Sequence, residues 1–134
     1  MIVADPNVFA YLLLPGDLTA SARRVLTRDP VWAAPLLWRS EVCSVLLGAL
    51  RKRRLALEDA VEAVDVAAEL VRGREYAVRP ADVLRLAQGS GCSAYDCEYV
   101  ALAQDLGVPL VTADREVLRA FPAATRSLAE FGAS

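Results

Sequence analysis

The sequence predicts an α/β domain: a three-layer α/β/α sandwich around a central parallel sheet of four to five short strands. Short apolar runs alternate along the chain with segments of helical periodicity. That alternation is the mark of parallel strands joined by right-handed crossovers, with helices on both faces. A length of 134 residues suits one domain, 1–134, and a hydrophobic fraction of 55% gives it material for a core.

Residues 1–4 read as a buried strand, and 6–14 as a helix opened by Pro6 at its first position. A second helix fits 17–28, capped near Asp17 or Thr19, followed by a strand at 31–34. Helices follow at 36–50 and 57–71. In the latter Leu57, Val61, Val64, Ala68 and Val71 recur at helical spacing and are expected to face the core. A third strand is expected at 75–78, a helix begun by Pro80 at 80–87, and a loop over Gly89–Cys92. Ser93 to Leu106 reads as a helix ended by Gly107, Pro109 to Thr112 as a fourth strand, and Arg115 to Ala120 as a short helix. Residues 125–128 are a candidate edge strand. No repeat, low-complexity segment or interdomain linker interrupts this order.

Composition removes whole classes of chemistry. There is no histidine, so Ser-His-Asp and Cys-His nucleophiles are excluded, as is the commonest general base. Cys43, Cys92 and Cys97 are an odd set without histidine, which fits neither a disulfide framework nor a zinc site, and all three are expected as reduced core thiols. No apolar run approaches the roughly 18 residues of a membrane span. No basic segment precedes the first apolar one, so the cytoplasm is the expected compartment. A net charge of −2 does not mark a general nucleic-acid binder.

Chemistry must therefore come from carboxylates. Asp5 and Asp114 each close an apolar strand, at the carboxyl-end rim where open α/β sheets bind ligands. Glu41 falls within the stripe Trp38, Val42, Val45, Leu46 and Ala49. Asp96 shares a side with Tyr99, Val100 and Ala103. A carboxylate facing a core is costly unless paired or metal-bound, and Arg39, the nearest cation to Glu41, points about 200° away around the helix. Each acid also has a plainer reading: Asp5 and Asp114 as N-caps, Ser93 with Asp96 as a capping pair, Glu41 as a first-turn acid. Taken together, four such acids make sense around a cation. All-oxygen ligation selects Mg²⁺, with Mn²⁺ as an alternative. Asn7 and Thr112, each two residues from an acid, are candidate supports for ligands or water.

Three blocks, MIVADPNVF, LLWRSEVCSVLL and SAYDCEYVALAQDLGVPLVTAD, resemble the PIN domain, and specifically the VapC-like toxins of type II toxin–antitoxin systems. The order of blocks matches from end to end, and the last is the most specific. The resemblance implies that Asp5, Glu41, Asp96 and Asp114 form the acidic catalytic quartet, with Asp5, Asp96 and Asp114 on the metal. It also implies a metal-dependent ribonuclease acting on structured RNA, a homodimer, and a cognate antitoxin covering the site. Pro6 departs from the Thr or Ser usual after the first Asp. That departure sustains an alternative, a PIN-like module that binds RNA or antitoxin without cleavage, although all four acids are present. Receiver and haloacid-phosphatase readings fail because the sole lysine is Lys52 and position 7 is Asn7. Arg51, Lys52, Arg53 and Arg54 are a solvated helix end or a contact for RNA phosphate or an acidic antitoxin segment. Tyr95 and Tyr99 flank Asp96, with core packing expected ahead of base stacking.

Overall fold

The computed structural model describes residues 1–133. Five parallel strands, β1 (Ile2–Ala4), β2 (Trp32–Pro35), β3 (Glu75–Tyr76), β4 (Leu110–Thr112) and β5 (Thr125–Ser127), lie in the order β3-β2-β1-β4-β5. The chain winds from β1 outward to β3, then crosses back beyond β1 to β4 and β5. The winding therefore reverses between β1 and β4, the switch point at whose carboxyl ends open sheets form a ligand crevice.

Right-handed crossovers put α1 (Pro6–Leu13), α2 (Thr19–Arg28), α3 (Trp38–Arg51) and α4 (Leu57–Leu70) on one face. They put α5 (Pro80–Ser90), α6 (Ala94–Leu106) and α7 (Arg115–Ala120) on the other. The packing agrees: α1 meets α2, α3 and α4, whereas α5 packs on α6 and α6 on β1, β2 and β4. A terminal helix, α8 (Leu128–Ala133), not expected from the sequence, returns to pack on α2. Beneath the crevice, Phe9 stacks on Trp38 and meets Trp32 edge-on, at centroid distances of 5.7 and 5.3 Å.

Several expectations need correction. The buried face of α4 is Ala60, Ala63 and Ala67, continued by Val71, while Leu57 and Val61 are exposed. Periodicity gave the helix but placed its face about a quarter turn away, because alanines let α4 approach its neighbours closely. Gly89 and Ser90 belong to α5, which ends at Gly91 with φ of 78°. Ser90 Oγ donates to the Leu86 carbonyl and accepts from Cys92 N–H, so the turn is satisfied locally. The N-cap of α2 is Leu18, without a side-chain bond, and the Thr19 hydroxyl instead donates back to Leu14 O. Of the cysteines, Cys97 is buried, Cys92 half-buried and Cys43 exposed on the outer side of α3. Cys92 and Cys97 flank the first turn of α6 at the staple positions, which is why these two meet the core. No described helix is long and apolar enough to cross a membrane.

Candidate active site

All four sequence-predicted acids stand at helix N-termini, and all four helices start from the same rim of the sheet. Asp5 is the N-cap of α1 and accepts from Asn7 N–H at 3.3 Å. Asp114 is the N-cap of α7, its Oδ1 accepting from Glu116 and Val117 N–H at 2.9 and 3.2 Å. Glu41 lies in the first turn of α3 and Asp96 in that of α6. The plain capping readings thus hold for three of the acids at once, Ser93 Oγ accepting from the Asp96 N–H at 3.0 Å. Capping and clustering do not compete here. Helices running antiparallel to the strands turn their positive ends to the crevice, and those ends offset part of the acids' mutual repulsion.

Local sequence explains each placement. Asp5 directly follows β1, and its N–H donates to Val111 O, which holds it beside β4. Fully buried Thr112 ends β4, and its Oγ1 accepts from Asp114 N–H at 3.0 Å, fixing the turn into α7. Trp38 is completely buried and its indole N–H donates to Glu75 at 2.6 Å. That anchor pins the start of α3, so Glu41 sits at the border of the apolar stripe. Pro6 occupies the first position of α1, where no intrahelical N–H is needed, so it costs the helix nothing. Asn7 is exposed, and its backbone makes the contact to Asp5.

Electrostatics link the four. Burial pushes the Asp5 carboxyl up, the Asn7 N–H pulls it back in part, and the charges of Asp96, Glu41 and Asp114 push it further, to about 7. Burial likewise raises Glu41, partly offset by the Tyr99 hydroxyl beside it, with Asp96 and Glu98 adding to the rise. Asp96 is raised by burial, eased by Ser93, and raised again by Asp114 and Glu116. Among the described residues none of the four acids forms a salt bridge. Nor are any three acidic or thiol side chains already gathered at ligating distance of a common point. The charges of the four nevertheless act on one another at the carboxyl-end rim.

The residues fit a hard cation. The donor set is all oxygen. Glu41 Oε1 is buried without a hydrogen-bond partner, and the mutual repulsion that raises three of the carboxyls is what a cation relieves. Sequence reasoning missed Glu98 and Glu116, which add negative charge near Glu41 and Asp96. It also missed the link from Tyr99 to Glu41. The spacing of Tyr99 one turn after Asp96 was the available signal. Tyr99 is core, as expected, but Tyr95 is 63% exposed.

A groove of about 440 Å³ is lined by Asn7 and Tyr11 of α1 and by Val45, Gly48, Lys52 and Arg54 in and just after α3. The basic run 51–54 is fully solvated at the end of α3, and Arg53 turns the chain there with φ of 55°. A larger groove, about 830 Å³, lies away from the acids between the α1–α2 turn and α4.

A family model described as the PIN domain matches residues 2–122. Ribonuclease VapC9 of Mycobacterium tuberculosis is 37% identical over 120 residues, covering 85% of this chain and 86% of that protein. Ribonuclease VapC3 of Pyrobaculum aerophilum is 29% identical over 125 residues, covering 91% and 95%. The crystal structure of PAE2754 from Pyrobaculum aerophilum superposes with a TM-score of 0.75 over 99% of this chain and 90% of that one, at 22% identity. A toxin–antitoxin complex from Klebsiella pneumoniae contains a chain with a TM-score of 0.68, covering 96% and 98%, at 16% identity.

Proposed function

The chain belongs to the PIN domain family, and from that premise we propose that it is a divalent-metal-dependent ribonuclease, the toxin of a toxin–antitoxin pair. One observation carries the reading. Four acids from four separate helix N-termini act electrostatically on one another at the switch point, and no cationic side chain pairs with any of them among the described residues. The names of the relatives support the ribonuclease activity, and the toxin–antitoxin complex supports an antitoxin partner.

In this reading Asp5, Asp96 and Asp114 hold Mg²⁺ or Mn²⁺, and Glu41 completes the ring of acceptors from the α3 side. When bound, the cation supplies Lewis acidity toward a phosphodiester oxygen and neutralises its developing charge. The protein's share is positional. The Asn7 N–H and the N–H pair of Glu116 and Val117 orient Asp5 and Asp114. Thr112 fixes the turn behind Asp114. Ser93 holds the first turn of α6, and with it Asp96. The groove from Asn7 to Lys52 and Arg54 offers a path for RNA phosphates. The working form is a cytoplasmic homodimer, which light scattering after size exclusion checks.

The test incubates the purified chain and its Asp5→Asn variant with total tRNA and ribosomal RNA in Mg²⁺, Mn²⁺ or EDTA. Discrete fragments from the wild type alone, abolished by EDTA, are expected. No cleavage in any metal, with retained partner binding, would instead favour a binding module.

A further inference from the structure

The polar core of the molecule holds two orphans, and they are neighbours. Among the described residues, Glu41 Oε1 and the Tyr99 hydroxyl are the buried side-chain oxygens without a hydrogen-bond partner. Tyr99 is only 2% exposed, on the α6 side of the crevice, and Glu41 comes from α3 on the opposite layer. They stand close enough that each perturbs the other's proton affinity, yet not in formed hydrogen-bond geometry.

An unpaired buried hydroxyl costs roughly 1–3 kcal/mol. A fold that kept this one for packing alone would do better with phenylalanine. The ionisable groups that act on the Tyr99 hydroxyl are all acids, Glu41, Asp5 and Glu98; a carboxylate only accepts, so the part open to the hydroxyl is that of donor. Glu41 has three side-chain torsions and, among the described residues, no ion pair to limit them.

We infer that Tyr99 is a positioning residue for the cation site, its O–H closing onto Glu41 to fix the carboxylate when the cation draws the acids together. The inference rests on the metal reading above and deepens it. Outer groups of this kind typically change metal affinity 10–100-fold when removed.

The test is a calorimetric titration of the metal-free full chain with Mn²⁺. Tyr99→Phe is expected to bind about 10-fold more weakly, while its thermal midpoint in EDTA holds or rises because an unpaired buried hydroxyl has gone. A residue that mattered only for packing would leave affinity alone, with the midpoint holding or rising in the same way. In a Glu41→Gln background, Tyr99→Phe is expected to add nothing, since its effect runs through Glu41. Unchanged Mn²⁺ affinity in Tyr99→Phe, or an equal loss in both backgrounds, overturns the role of Tyr99. Failure of the wild type to bind Mn²⁺ overturns the metal reading and this inference with it. Should Tyr99→Phe fold poorly, tyrosine ring ¹³C resonances in the wild type serve instead. Mg²⁺ is expected to shift Tyr99, and a silent Tyr99 during saturation contradicts the inference.

Discussion

Glu75 and the crevice acids are both carboxylates at the carboxyl-end rim of the sheet, and the chain treats them in opposite ways. Glu75 accepts from Trp38 Nε1 at 2.6 Å and from Arg39 at 2.9 and 3.2 Å. The Arg39 bond and charge, helped by Trp38, hold its carboxyl below the usual range. Asp5, Glu41 and Asp96 have no cation, and burial with mutual repulsion holds them above it. One carboxylate is finished within the protein, and the others have no cationic side chain paired with them among the described residues. The difference separates a charge that stabilises the fold from charges kept at the fold's expense.

Asp96→Asn should separate the two kinds of carboxylate most strongly. If the crevice acids serve chemistry, metal-dependent RNA cleavage should fall by more than about 100-fold with the fold intact by circular dichroism. Undiminished cleavage, with contaminating nuclease excluded, would dissolve the distinction.

Stability should move in opposite directions at the two places. Asp5 titrates near 7 in the folded chain against an ordinary 3.8. Between those values the folded state binds more protons than the unfolded one, so metal-free stability falls as pH rises through that window and levels off above 7. Asparagine keeps the N-cap and removes the titration. In EDTA at pH 8, Asp5→Asn should therefore be more stable than wild type by on the order of 2 kcal/mol. Added Mg²⁺ should reverse that order, and its affinity for the wild type should weaken as pH drops below 7, where a proton must be displaced. Melting curves across pH, with and without Mg²⁺, check all three signs.

Glu75→Ala should lower stability by about 1–2 kcal/mol, most of it from the buried Trp38 N–H that loses its acceptor. The Arg39 bond is too exposed to add much. Mn²⁺ affinity, read by calorimetry, should fall far less than in Asp96→Asn, since Glu75 acts only by anchoring the start of α3. The smallest effect belongs to the exposed side of α4: Leu57→Ser should change the denaturation midpoint by no more than about 0.5 kcal/mol.

Most of the fold was legible wherever punctuation was strong. Pro6, Ser93, Gly107 and Asp114 mark helix ends by chemistry that acts within a few residues, and α1, α6 and α7 fall where those residues place them. The face of α4 was not legible, because its apolar stripe and its alanine stripe have the same period and only packing chooses between them. The six residues of α8 are too short to show periodicity. At the site, the capping roles of Asp5 and Asp114 and their position at strand ends were readable from neighbours in sequence. The nearness of Glu41 and Tyr99 was not, since it joins helices from opposite layers and residues far apart in sequence. Burial of the cysteines followed the same rule: Cys92 and Cys97 are fixed by the α6 staple, whereas nothing adjacent to Cys43 revealed that its side of α3 is solvated.

If the reading of the four acids is right, a cation completes the crevice between β1 and β4. Crystals grown with Mn²⁺ and an anomalous difference map test it directly. The expected result is a peak ligated by Asp5, Asp96 and Asp114, with Glu41 drawn toward it. A saturated crystal with no peak at that crevice, or with Mn²⁺ held only elsewhere on the surface, would contradict it.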